Sequence, residues 1–381
     1  MSVSRETTGG ISRRDFVKAT SLAGVAVAGA IPLSAVGCAE DQRSGGDGQL
    51  AIEIAGYPYD RVQGLVDGDV RVEGAEVRFA PSNIYALNFM AMGGNQGWEV
   101  QEIGLHPYML AYANDNFRDY SLIPVFPLRT FRHKSIFIRT DRGIDSPEDL
   151  RGKTVAVAGY SQSSLVWIRG ILQHEYGVTP EDIQWVLAVE SSDEGTASRN
   201  ETVVPEGVAY RFGPAGVDES DLLESGEVDA VFSAVEPRGY VEGDPAIARL
   251  FSDYRWTERA YFKTTGIFPI MHAVAIRNDV AEQNPLLPQA LFEAYSQAKQ
   301  HMYQQLQRLG WAMISLPWVG KELEDTRELM GDNYWPYGID ANRKVLEALF
   351  RYSYEQGLAS RQLTIEELFH PTTLELRESL S

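Results

Sequence analysis

The chain has 381 residues, with 53 acidic against 34 basic side chains and a formal charge of −19. A surface this acidic is a poor partner for nucleic acid or anionic lipid. Its one cysteine, Cys38, excludes an internal disulfide and any zinc-finger spacing, so stability has to come from a buried core.

In chain order, Ser12-Arg13-Arg14-Asp15-Phe16-Val17-Lys18 precedes an uncharged run from Ala19 to Gly37. Paired arginines ahead of a moderately apolar stretch predict a twin-arginine export signal, with Arg13 and Arg14 as the recognised pair and the export machinery as a partner. The run is rich in Gly and Ala and carries Pro32, which makes it a poor permanent membrane span. Ala35-Val36-Gly37-Cys38 resembles a lipoprotein processing site, with Ala35 where Leu is the usual choice. Residues 1–37 are thus expected to be the signal, Cys38 the lipidated first residue, and 38–49 a polar, Gly-rich tether. The expected location is extracytoplasmic, in the periplasm or on the cell surface, with membrane contact only through the N-terminal lipid.

The body opens on Ala51-Ile52-Glu53-Ile54-Ala55-Gly56, which alternates before a Gly/Pro turn and predicts a strand. Further strands are expected at 76–79, 102–105, 135–138, 154–157, 228–232 and 272–276. Helical patterns lie between them, the clearest from Pro288 to Leu306, where Leu291, Tyr295, Ala298 and Met302 mark one buried face. This alternation predicts an α/β architecture with largely parallel sheets. Residues 190–213 are polar enough for a loop excursion. A monomer is expected.

Two idioms give the order more meaning. Ser146-Pro147-Glu148-Asp149-Leu150-Arg151-Gly152-Lys153-Thr154-Val155 caps and ends a short helix before launching a strand. Leu222-Leu223-Glu224-Ser225-Gly226-Glu227-Val228-Asp229-Ala230 feeds a helix end into another strand. In that order they resemble the type II periplasmic solute-binding proteins, whose two α/β lobes are joined by a hinge around a ligand cleft. The resemblance implies lobe I from 50–140, lobe II from 141–269, and a return to lobe I with C-terminal helices over 270–381.

Candidate site residues follow from strand ends. Tyr59 and Arg61 come after the first strand, where open α/β sheets place ligands, and a guanidinium fork suits a carboxylate. Arg129, Arg132 and His133 form a basic cluster in an acidic chain, as capture of a small anion requires, although salt bridges to the surface would use the same residues. Tyr160, Ser161 and Ser163 lead into a helix carrying Trp167 and Arg169, where helix-terminal N–H groups and hydroxyls suit an anion, or Ser161 or Ser163 simply caps the helix. Glu236 follows the strand ending near Phe232. His106, His133 and His272 lie near strand ends without metal-ligand spacing, so no metal is expected; a distant set with Glu102 or Asp60 is the alternative. Tyr334-Trp335-Pro336-Tyr337-Gly338 offers aromatic stacking to a ligand, against the plainer reading of packing on lobe I.

Gly56-Tyr57-Pro58-Tyr59-Asp60-Arg61, Pro124 to His133, Val166-Trp167-Ile168-Arg169-Gly170, Thr265 to His272 and Asn333 to Gly338 together resemble the 4,5-dihydroxyphthalate decarboxylase-like family over nearly the whole body. That resemblance implies two functions. The first is a solute-binding lipoprotein that closes on a small organic anion, such as an aromatic carboxylate, and passes it to a transporter permease without a cofactor. The alternative is a carboxy-lyase with His133 or His272 as proton donor and a divalent metal as an optional aid. Export favours the first, because aromatic-acid breakdown normally feeds cytoplasmic metabolism.

Overall fold

The computed structural model describes residues 50–94, 97–192, 199–308 and 315–379. The expected signal, with Arg13 and Arg14, the lipidation residue Cys38 and the tether lie outside the described residues. Among the described residues no helix is long and apolar enough to cross a membrane.

The first sheet begins with β1 Leu50–Gly56, β2 Ala75–Pro81, β3 Val100–Gly104 and β4 Tyr120–Ile123. The chain then builds a second sheet from β5 Ile136–Arg139, β6 Thr154–Val157, β7 Gln184–Leu187, β8 Tyr210–Phe212, β9 Ala230–Phe232 and β10 Ile247–Arg249. It returns to the first sheet with β11 His272–Arg277. The orders are β2-β1-β3-β11-β4 and β10-β5-β9-β6-β7-β8, with the central strands buried and the edge strands β2, β8 and β10 more exposed. This is the expected two-lobed α/β architecture.

Three expectations need correction. The sheets are mixed, because β11 runs antiparallel to β3 and β4, and β5 runs antiparallel to β9 and β10. Both strands arrive directly from the other lobe, so no βαβ crossover within one sheet forces them parallel. In addition, β5 belongs to the second sheet, so the outward crossing precedes Ile136 instead of following residue 140. The region 190–213 is also more than a loop, since it contains β8.

The outward and return crossings pair with each other. Arg129 and Ile270 form an antiparallel bridge, flanked by Thr130 N–H to Pro269 O at 3.1 Å and Met271 N–H to Leu128 O at 2.9 Å. One continuous apolar cluster then links the lobes, from Ile54 and Val274 through Trp167 to Val155 and Phe232. The amphipathic helix Arg343–Glu355 lies across this junction. Its Tyr352 ring packs on Gly170, where an added Cβ would sit 2.1 Å from the ring. Just beyond it, Gln356 accepts from Arg169 Nε at 2.9 Å and donates to the Val166 carbonyl at 3.0 Å. Across the junction, Trp167 Nε1 donates to the Ile270 carbonyl at 2.9 Å.

Candidate active site in the interlobe cleft

A cleft of about 360 Å³ opens where the strand ends of the two lobes face each other. Lobe I contributes the turn after β1 with Tyr57 and Tyr59, the end of β3, and His272 at the start of β11. The crossings contribute Leu128, Thr130, Arg132, Lys134 and Met271, and lobe II contributes Gln162, Ser163 and Ser164. This is where open α/β sheets place their ligands.

Glu102 organises the lobe I wall. All five residues of β3 are buried, so a carboxylate in its centre needs donors. Glu102 Oε1 accepts from Tyr59 Oη at 3.0 Å and lies 2.5 Å from His272 Nδ1, while Oε2 accepts the Tyr57 N–H at 3.1 Å. Gly56 leaves room for this, since a Cβ there would come within 3.1 Å of Oε2. Burial, reinforced by Glu102, pushes the Tyr59 phenol well above its usual range, so it stays a donor. With Nδ1 committed to Glu102, the other nitrogen of His272 is left for an occupant of the cleft. Tyr57 stacks on both Tyr59 and His272, with ring centroids 5.4 and 6.4 Å apart, and forms an aromatic part of the cleft wall.

Arg132 supplies the charge. Only 5 % exposed, it donates to Met271 Sδ and Ser135 Oγ, each at 3.4 Å, and no carboxylate among the described residues lies within ion-pair distance. Burial lowers its pKa to about 10, still protonated at neutral pH, with Glu258 acting in the opposite direction. Glu258 is itself raised to about 7 by burial and accepts the Lys134 N–H at 3.1 Å. Three helices, Ile84–Met92, Leu105–Asn114 and Ser163–Tyr176, begin at the cleft, which Ile84, Gly104 and Ser163 line. Their N-terminal dipoles add to the field of Arg132, an arrangement suited to an anion, with Glu201 as an acidic residue on the same lining.

Of the residues expected at the site, Tyr59, Arg132, Ser163 and His272 line the cleft; the others do not. Arg61 lies flat between the Tyr59 and Trp335 rings, 4.1 Å from each centroid, and pairs with Asp60 at 3.0 Å. Arg129 donates through Nη2 to Asn342 and lies over the faces of Phe126 and Phe268, away from the cleft, and burial lowers it to about 9. Arg169 stacks 3.8 Å over Tyr160 and donates to Gln356 and the Tyr160 carbonyl. Tyr160 and Ser161 are fully buried, and Ser161 Oγ bonds the Asn200 carbonyl and the Val203 N–H instead of capping the helix.

His106 is buried between Ser161 O at 2.6 Å and Ser353 Oγ at 2.8 Å, and burial lowers it to about 3. His133 packs edge-on against Phe251 and Tyr261 with neither ring nitrogen bonded, and burial lowers it to about 4. It is therefore no proton donor to the cleft. Glu236 is exposed and paired with Arg249 at 2.6 Å. Trp335 packs on lobe I, donating to the Phe126 carbonyl at 2.9 Å. Among the described residues no group of three or more His, Cys, Asp or Glu is arranged to hold a metal; Glu102 and His272 meet as a hydrogen-bonded pair, and Asp60 faces Arg61.

Sequence reasoning missed Tyr57, Asn88 and Lys134, and saw Glu102 only as a distant metal ligand. The available signal was a charged residue inside the otherwise buried strand Val100-Gln101-Glu102-Ile103-Gly104.

A family model described as NMT1/THI5 like matches residues 121–199. Among curated proteins, 4,5-dihydroxyphthalate decarboxylase of Comamonas testosteroni is 36% identical over 327 residues, 86% of this chain and 98% of its own. The protein of that name from Pseudomonas putida is 33% identical over 205 residues, 54% of this chain and 78% of its own. Among solved structures, the periplasmic sulfonate-binding protein SsuA from Methylobacillus flagellatus aligns with a TM-score of 0.50 at 17% identity, over 86% of this chain and 93% of its own. That last likeness is one of fold.

Proposed function

The chain belongs to the 4,5-dihydroxyphthalate decarboxylase family, and from that premise we propose that its cleft binds a hydroxylated aromatic carboxylate and releases one carboxyl group as carbon dioxide. The observation that carries this reading is the Glu102–His272 pair, a buried carboxylate fixing one imidazole nitrogen and leaving the other at the cleft. A ring hydroxyl para to the carboxyl-bearing carbon feeds electron density to that carbon, which takes a proton from His272. The bond to the carboxylate then breaks, its electron pair restores the aromatic ring, and carbon dioxide leaves. Glu102 offsets the charge of the protonated imidazole before transfer and holds the ring in one orientation. Arg132 and the helix N-termini hold the anionic substrate, and Tyr57 offers a face for its ring.

The second reading is a solute-binding protein for a small organic anion, supported by the fold shared with a sulfonate-binding protein. Handing a ligand to a permease by hinge closure requires lobes that part. The continuous core and the helix Arg343–Glu355 across the junction favour a preformed cleft instead. The extracytoplasmic location belongs to the reading of Arg13, Arg14 and Cys38, and fractionation of an Arg13→Lys/Arg14→Lys variant tests it: cytoplasmic retention is expected.

The test of function is incubation of the purified protein with 4,5-dihydroxyphthalate, with carbon dioxide and 3,4-dihydroxybenzoate measured. Turnover by the parent and a fall in kcat of about 10²–10⁴ in His272→Gln are expected. Saturable binding without product in the parent, or full activity in His272→Gln, sinks the enzymatic reading.

A further inference from the structure

Asn88 is fully buried on the helix Ile84–Met92 and lines the cleft. Its Oδ1 accepts the Gly104 N–H at 3.0 Å, and this fixes the amide, because a flipped side chain would set two donors face to face. Nδ2 is thereby left without an acceptor. Buried polar groups are almost always satisfied, so an orphan donor asks for a partner. The other side-chain atoms in this condition among the described residues belong to Gln101, Arg129, His133, Tyr160, Arg169, Tyr261 and Tyr337, none of which lines the cleft. Asn88 alone pairs the deficit with a place at the site.

We propose that Asn88 is a specificity-determining residue whose Nδ2–H, which donates to no acceptor in the protein, donates to and orients the carboxylate that leaves, while Arg132 holds the acidic group that stays. The inference rests on the decarboxylase reading and adds to it the division of labour between two carboxylates. Its chemical basis is that the departing carboxylate loses its charge as carbon dioxide forms. A guanidinium on that group would stabilise the reactant more than the transition state and slow the reaction. A neutral amide donor orients the group without that penalty, and Asn88 projects from the same lobe as His272, the proton donor. The charged clamp is spent to better effect on a group whose charge persists to the product.

The experiment compares substrate with product. Asn88→Ala removes the donor; Asn88→Asp keeps the acceptor for Gly104 and replaces the donor with a repelling oxygen. Affinity for 4,5-dihydroxyphthalate and for 3,4-dihydroxybenzoate, which lacks the departing group, is measured by calorimetry at neutral pH, alongside turnover. Both Asn88 variants are expected to lose at least 10-fold in affinity for the dicarboxylate and less than 2-fold for the monocarboxylate, while Arg132→Ala loses both. Equal losses for the two ligands, or none, in a variant whose melting temperature matches the parent overturns the role of Asn88 and leaves the decarboxylase reading standing. If Asn88→Ala fails to fold, Asn88→Asp decides alone. A parent that binds neither compound overturns both.

Discussion

Arg132 and Arg169 sit at two regions of the same junction and look alike by burial, at 5 % and 1 % exposure. Burial weakens the hold of each on its proton. They differ in what surrounds the guanidinium. Arg169 is stacked on Tyr160 and donates through Nε to Gln356 and through Nη2 to the Tyr160 carbonyl, so these two donors tie the helix Ser163–Tyr176 to the segment after the helix Arg343–Glu355 and to the strand-end turn. Arg132 has only a sulfur and a long contact to Ser135, at the edge of an open cleft. Arg169 Nη1 lacks a partner, yet Arg169 does not line the cleft, so what separates the two is that Arg169 is tied to Gln356 and the Tyr160 carbonyl while Arg132 stands at the cleft wall.

The widest separation between the two should appear on truncation. Arg132→Ala is expected to cost about 2–5 kcal/mol of ligand affinity, or roughly 30-fold to several thousand-fold, with a melting temperature close to that of the parent. Arg169→Ala should invert the pattern, losing about 2–4 kcal/mol of stability in denaturant titration because Gln356 and the Tyr160 carbonyl lose their donor. Ligand affinity in the folded fraction should hold. If Arg169→Ala abolishes binding while remaining stable, the comparison fails. Arg61→Ala is a milder version of the Arg169 case, expected to cost about 1–3 kcal/mol of stability through two lost ring contacts and its bonds to Asp60 and the Pro127 carbonyl, again read by denaturation.

His133→Phe sharpens the contrast from the other side, since this histidine has neither cleft access nor a bonding partner. Its folded pKa, about 4, lies below the ordinary value of 6.5, so the protein takes up a proton at this position on unfolding between those limits. Its stability contribution is complete above pH 6.5 and is lost as the pH falls toward 4, at up to about 1.4 kcal/mol per pH unit. The Phe variant should match or exceed the parent at pH 7 and gain on it as the solution is acidified, in melting curves taken at several pH values. A constant difference across that range would show that His133 is not the group being titrated.

Much of the fold was legible because the long helix ending at Leu306 carries a strong periodic signal, and because Thr154-Val155-Ala156-Val157, though short, is a mostly β-branched run launched directly from a recognisable capped turn. β4, β7, β8 and β10 were not, since runs of three or four residues, as in Ile247-Ala248-Arg249, are too short to show a period. At the site, strand order brought Tyr59 and His272 to the right end of the sheet. It could not tell Arg132 from Arg129, three residues away on the same crossing, because neighbours that Asn342 and two phenylalanines provide come from distant segments. Glu102 was misread for a related reason: its three partners, Tyr57, Tyr59 and His272, converge only when β11 closes against β3.

The contact between Gly170 and Tyr352 has a consequence for how such a chain can drift. With an added methyl group placed 2.1 Å from the ring, position 170 tolerates a side chain only after position 352 has given up its aromatic group, and the reverse order leaves a void beside Trp167. Two positions separated by most of the C-terminal half are therefore inherited as one unit, and in lineages where glycine at 170 is replaced, the aromatic residue at 352 should be gone as well.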